Sequence, residues 1–248
     1  MSITDFTYSA YINMLGIILK RGYCFANYHN YADFQHPCIM RHDIDFDVKA
    51  ALRLAELEAS FPEKLESTFF VWLSSDFYNV FSKETIASLN QILSMGHEIG
   101  LHFDETKYDC ETPETIVCAV QEEAYILSRM LGIEIHVVSM HRPSKYTLEA
   151  DLSFDGLDNS YSRVFRDDFK YLSDSRMHWR EDAEQIITSR LYSKLHILTH
   201  AFWYSDEIVT TREKLLRFIT NANQERYDNA SSNFRALDEF VTREDIMK

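Results

Sequence analysis

Hydrophobic positions recur along the chain with two different periods, and each change of period marks a new element. Tyr11, Met14, Leu15, Ile18 and Leu19 make a helical stripe that Gly22 can end. Residues 23–37 are aromatic and irregular, suited to plugging or covering one end of the main domain. Ile39 to Asp47 reads I-M-R-H-D-I-D-F-D, a strand that delivers Asp43 and Asp45 at alternate positions. Side chains alternate across a strand, so both carboxylates point the same way. Val48, Ala51, Leu52, Ala55 and Ala59 then fall on or near one helical face. Asp47 is placed to cap that helix, which runs to about Ser60, with Pro62 marking the break.

Further on, 67–73 is β-branched and aromatic with little alternation, the pattern of a strand buried on both faces. Ser82 opens a helix with Ile86, Leu89, Ile92 and Leu93 inside, and Gly96 closes it. A strand over 97–103, a helix from Pro113 to Leu131 ended by Gly132, and a strand over 135–140 come next. Residues 145–168 predict loops and a short strand near Tyr161. Strands are expected over 169–174, briefly over 186–188, and over 195–200. A helix is expected over 211–221 and an amphipathic piece over 234–241.

This rhythm of strand and helix predicts an α/β fold with a parallel sheet. Polar clusters recur where strands end: Asp43/Asp45, His102/Asp104, His141/Arg142, Asp174 and His200. Five clusters converging from five strand ends fit the mouth of a (β/α) barrel better than the single crevice of an open sheet. One domain over residues 1–248 is expected. Its core spans about 38–204, with an N-terminal preamble at 1–37 and a helical tail at 205–248.

Composition narrows the function. A hydrophobic fraction of 46% is ordinary for a globular chain, and the formal net charge of −14 argues against nonspecific nucleic-acid binding. The charge suits a neutral substrate, or one held by a local arginine or a metal. No apolar run reaches the roughly 20 residues of a membrane span. The first residues lack a charged signal-peptide start, so a cytoplasmic location is expected. Cys24, Cys38, Cys110 and Cys118 contain no C-x-x-C pair and read as reduced thiols.

His102 lies at a strand end level with the two acids, where a metal or acid–base role fits. His97 starts the same strand on the other face and reads as structural. His200 is at the rim of the last strand, whereas His196 is near its middle or base and reads as packed. Arg142 is either an ion-pair partner of a rim carboxylate, with Asp174 the natural one, or a substrate clamp. Trp203, three residues beyond His200, is the better candidate for a sugar-binding groove; Trp72 reads as core.

Together these residues resemble the polysaccharide deacetylase family, the NodB-homology or carbohydrate esterase family 4 group, over about residues 38–204. H-D-I-D at 42–45 is similar to that family's first motif and G-H-E-I-G-L-H at 96–102 to its second. R-P-S at 142–144 is similar to the third, S-D-S at 173–175 to the fourth and L-T-H at 198–200 to the fifth. The resemblance implies a distorted (β/α) barrel that removes acetyl groups from amino sugars with a divalent metal, zinc being the expected ion. It implies Asp43 as base, Asp45 and His102 as ligands and Arg142 as the residue orienting the base. It further implies Asp174 as the fourth-motif acid, Leu198 in the acetyl pocket and His200 as general acid. The family's second ligand histidine, four residues after the first, is Thr106 here. Catalytic zinc usually has three protein ligands, so a replacement is needed. His141 is the first choice and Asp104 the second.

The expected activity is therefore hydrolysis of an acetyl group on an amino sugar or glycan intermediate of polysaccharide biosynthesis. The carbohydrate partner is a nucleotide-sugar, a lipid-linked sugar or a short glycan. The rivals are a non-catalytic carbohydrate-binding or scaffold protein of the same fold, and a related C–N hydrolase such as a sugar deformylase.

Overall fold

In the computed structural model, which describes residues 2–109 and 112–246, the apolar runs become parallel strands of one sheet. Cys110 lies outside the described residues; Cys24, Cys38 and Cys118 are free thiols. The strands are β1 (Cys24–Ala26), β2 (Pro37–Ile44), β3 (Thr68–Val71), β4 (Glu98–Phe103), β5 (Val137–Met140), β6 (Asp158–Asn159), β7 (Lys170–Ser173) and β8 (Leu195–Thr199). Across the sheet the order is β6-β5-β4-β3-β2-β8-β7. β8 takes one edge of β2, while β1 and β3 share the other, at Pro37–Ile39 and Arg41–Ile44. β2 is buried along its whole length, as a strand covered on both faces must be.

The sheet is curled. Were it flat, strands about 4.8 Å apart would leave β2 and β5 roughly 14 Å from each other. Instead His141 Nδ1, just past β5, lies 3.5 Å from Asp45 Oδ1, just past β2. Among the described residues β6 and β7 do not pair, so the barrel stays open at that seam and is distorted rather than closed.

Inside, Ile39, Phe70 and Val137 pack with Phe165, Phe169 and Tyr28 in one buried cluster. Tyr28 belongs to the segment before β2 and plugs the end where the strands start. Its hydroxyl is 2.8 Å from Nε2 of His196, which is packed as expected. Beside it, His29 bridges Glu98 at 2.7 Å and Asp158 at 2.6 Å, tying β4 to β6. Gly100 is needed here: a Cβ would stand 2.6 Å from the Phe70 ring and 2.9 Å from Val137.

Helices cover the outer face: α1 (Tyr8–Lys20), α2 (Val48–Ala59), α3 (Lys83–Ser94) and α4 (Pro113–Leu131). Asp47 caps α2 by accepting from the Lys49 N–H. The fully buried Glu58 of α2 fastens this layer to the sheet. It accepts from the Tyr11 hydroxyl and from Ser67 Oγ, and lies 3.0 Å from His42 Nε2 and 3.5 Å from His97 Nδ1. His97 is therefore structural.

Three segments differ from the sequence reading. Residues 186–188, expected as a strand, lie in α7 (Ala183–Ser189), because Asp182 caps a helix whose Ala183 and Ile187 share one buried face. The weakly patterned 145–168 holds α5 (Lys145–Ala150) and α6 (Arg163–Asp167), with β6 its only strand. β1 was hidden in the irregular preamble, since three residues carry no readable alternation.

The chain divides into two compact units, Met1–Asp206 and Glu207–Lys248. In the second, α8 (Thr211–Asn233) starts with a Thr210/Glu213 capping box and runs past the expected 221. No helix among the described residues is long and apolar enough to cross a membrane.

Candidate metal centre and active site

β2 places Arg41 and Asp43 on one face, by the two-residue period of a strand, and Asp45 follows just past its end. The curl then brings His102 of β4, His141 just past β5 and His200 just past β8 to the same rim. Asp45 Oδ1 is 3.3 Å from His102 Nε2 and 3.5 Å from His141 Nδ1, and the two ring nitrogens are 3.1 Å apart. Three donors on one tetrahedral ion at zinc's bond lengths stand about 3.3–3.4 Å from each other. The triangle thus has the size of a first coordination sphere. Asp45 Oδ1 is buried yet makes no hydrogen bond among the described residues, as a ligand oxygen would. Burial works against ionisation of Asp45, but His102 and His141 outweigh it and hold the carboxyl well below the usual range.

Each ring is braced. His102 Nδ1 is 3.1 Å from Ser139 Oγ. His141 stacks on Trp72 with centroids 4.2 Å apart and planes at 20°, and its backbone N–H donates to Phe103 O. Trp72 is buried, as expected, but packs on the site rather than deep in the core. Asp104, the alternative third ligand, stands outside this group: its Oδ1 accepts from the backbone N–H and hydroxyl of Thr106.

Asp43 is gripped from its own strand. Arg41 donates from Nε to Oδ1 and from Nη2 to Oδ2, both at 2.8 Å, a bidentate pair with no exposed part on the arginine. Burial raises the Asp43 pKa, but Arg41 and then His102 pull it below the ordinary carboxylate value. This corrects the sequence expectation for Arg142. Arg142 is exposed, at φ 46°, and makes no ion pair among the described residues. It follows the end of β5 with its backbone in the left-handed region, whereas Arg41 lies inside the barrel. The signal available in the sequence was the R-x-D spacing, which puts Arg41 on the face of Asp43.

Asp174, expected to pair with Arg142, pairs with His200 instead. It accepts from His200 Nδ1 at 2.6 Å and from the His200 backbone N–H at 3.0 Å. This leaves His200 Nε2 facing the site, 3.8 Å from Asp45 Oδ2. Burial disfavours the imidazolium, but Asp174, then Asp45 and Asp43, overcome it and push the His200 pKa up to about 9. Leu198, two residues earlier on the same strand face, is buried. Trp203 is only 7% exposed and packs against Phe202 and Phe46, so it is not the open groove wall expected of it.

No family model matches the chain, and no curated protein matches it in sequence. Among solved structures it is similar to the polysaccharide deacetylase Bc1974 from Bacillus cereus, at 13% identity and a TM-score of 0.46 over 75% of this chain and 88% of that one. It is also similar to the Streptococcus pyogenes deacetylase PplD in complex with acetate, at 11% identity and a TM-score of 0.46 over 85% and 86%. A third is BA3943 from Bacillus anthracis, described as a carbohydrate esterase family 4 pseudoenzyme, at 14% identity and a TM-score of 0.41 over 76% and 60%. These likenesses are distant, and the chain's own residues carry more. In the order of its motifs along the sequence, and in the meeting of Asp43, Asp45, His102, Asp174 and His200 at one rim of a distorted parallel barrel, the chain resembles the polysaccharide deacetylase family.

Proposed function

We propose that this protein is a metal-dependent hydrolase that removes an acetyl group from an amino sugar or glycan intermediate of polysaccharide biosynthesis. One observation carries the reading: a ligand-sized triangle of Asp45, His102 and His141 lies beside the buried carboxylate of Asp43 and across from His200, whose Nδ1 is held by Asp174. Two imidazoles and one carboxylate make a donor set that suits zinc. A divalent cation held there would polarise the acetyl carbonyl and acidify a water.

The chain's residues do the rest. Asp43, kept ionised and oriented by Arg41, takes a proton from the attacking water. His200 enters as imidazolium, with Nδ1–H held by Asp174, so its Nε2–H is the proton available to the leaving nitrogen. The C–N bond breaks as that nitrogen is protonated, giving acetate and a free amine. Leu198 supplies an apolar wall next to His200, fit for an acetyl methyl. The substrate classes are those of the sequence reading: a nucleotide-sugar, a lipid-linked sugar or a short glycan.

Metal analysis combined with an acetate-release assay on a panel of N-acetylated sugars tests this. Wild type should hold about one equivalent of zinc, as a single three-ligand site requires. Asp43→Asn should abolish turnover and keep the metal, whereas His141→Ala should lose the metal. A wild-type protein that binds sugar but no metal at any pH would make this a non-catalytic binding protein. Activity confined to polymeric chitin or peptidoglycan would overturn the choice of substrate.

A further inference from the structure

Ser139 lies on β5 with no exposure, its hydroxyl between two groups that belong to separate halves of the site. On one side is Arg41 Nη2, part of the guanidinium that grips Asp43. On the other is His102 Nδ1, at 3.1 Å. A guanidinium only donates, so Ser139 Oγ accepts from Arg41. An imidazole that offers a lone pair from Nε2 to a cation carries its proton on Nδ1, and here that proton points at the same oxygen. A hydroxyl oxygen has two lone pairs, one for each donor.

We propose that Ser139 is a positioning residue of this site: it holds His102 with Nε2 free for a cation and holds Arg41 against Asp43. It touches neither substrate nor cation. The inference rests on the metal-dependent reading above. Without the hydroxyl, the metal-bound form of His102 would carry a buried N–H with no acceptor, and Arg41 would lose one of its acceptors. No acidic side chain is needed for this role. A carboxylate at 139 would also be free to compete with Asp43 for Arg41.

The test is a cobalt(II) titration followed by its visible absorption bands, on wild type and on Ser139→Ala, with folding checked by circular dichroism. The isosteric pair Ser139→Thr and Ser139→Val separates the hydroxyl from bulk and serves equally should the alanine variant not fold. Removing a partner behind a metal-binding histidine typically costs about 10- to 100-fold in metal affinity. The alanine and valine variants should therefore bind cobalt that much more weakly, and the threonine variant close to wild type. In the proton spectrum of the zinc-loaded protein, the slowly exchanging ring N–H of His102 should persist in wild type and Ser139→Thr and vanish in Ser139→Val. Equal cobalt affinity across wild type, alanine and valine would overturn the role of Ser139 and leave the hydrolase reading standing. A threonine variant as weak as the valine one would overturn it as well. Failure of the wild type itself to bind cobalt would remove both.

Discussion

Asp43 keeps its negative charge inside the barrel because Arg41 meets it with two parallel hydrogen bonds, two residues back on the same strand face. Removing one member of such a buried pair leaves the other charge without compensation, at a cost of about 3–5 kcal/mol. Arg41→Met should therefore destabilise the protein by that amount in denaturant unfolding and abolish turnover. Arg142→Met, at an exposed position with no ion pair among the described residues, should shift stability by no more than about 0.5 kcal/mol. The reverse ranking would show that the arginine governing the base had been misassigned. The sequence drew attention to Arg142 because it sits in a motif beside a strand end. Arg41 was hidden in an apolar strand, where a charged residue has no motif to advertise it and only its two-residue spacing from Asp43 hints at its face.

Among the elements, β4 shows why a strand interior can require glycine. Gly100 leaves the space that the Phe70 ring of β3 fills, against Val137 of β5. Adding a methyl group there forces ring or backbone to move, and overpacking of this kind costs about 1–3 kcal/mol. Gly100→Ala should be destabilising within that range, and Phe70→Leu in the same chain should recover part of the loss. A double-mutant cycle showing no coupling between the two positions would mean that the ring is not what the glycine accommodates. The long helices were legible from their 3.6-residue stripes and caps, α4 at both ends through Pro113 and Gly132. The short elements were not. β1 and α7 are shorter than the window over which a period can be recognised, and sheet pairing and capping decided them instead.

For the molecule as a whole, stability should depend on pH through Glu123 of α4. This carboxyl is 2% exposed, accepts from the Tyr108 hydroxyl, and has an Oε2 with no partner among the described residues. Burial, aided by the nearby charge of Asp104 and opposed by Tyr108, pushes its pKa up to about 7 from 4.5. The folded state thus holds this proton more tightly than the unfolded state. The residue costs nothing below the unfolded pKa and becomes increasingly destabilising as pH rises from there through about 7, approaching roughly 3 kcal/mol above it. Glu123→Gln should leave the thermal midpoint nearly unchanged at about pH 4, below the unfolded pKa, and raise it at about pH 8. An equal effect at both pH values would show that the side chain is ionised throughout.

Taken alone, the sequence determined the alternation of strands and helices, the parallel α/β class and the set of polar residues at strand ends. These arise from local periodicity and from caps, which act over a few neighbours. It also narrowed the third metal donor to His141 or Asp104, because a cation needs three ligands and the usual second histidine is a threonine. The tertiary structure separates the two candidates by position. The curl of the sheet, which brings β5 across to β2, puts His141 within 3.5 Å of Asp45, while Asp104 turns away to cap its own loop. The same curl, and not any motif, gave Asp174 to His200, buried Trp203 and set Ser139 between Arg41 and His102. Contacts across a barrel join residues far apart in the chain, and no period or spacing along the sequence encodes which of them will meet.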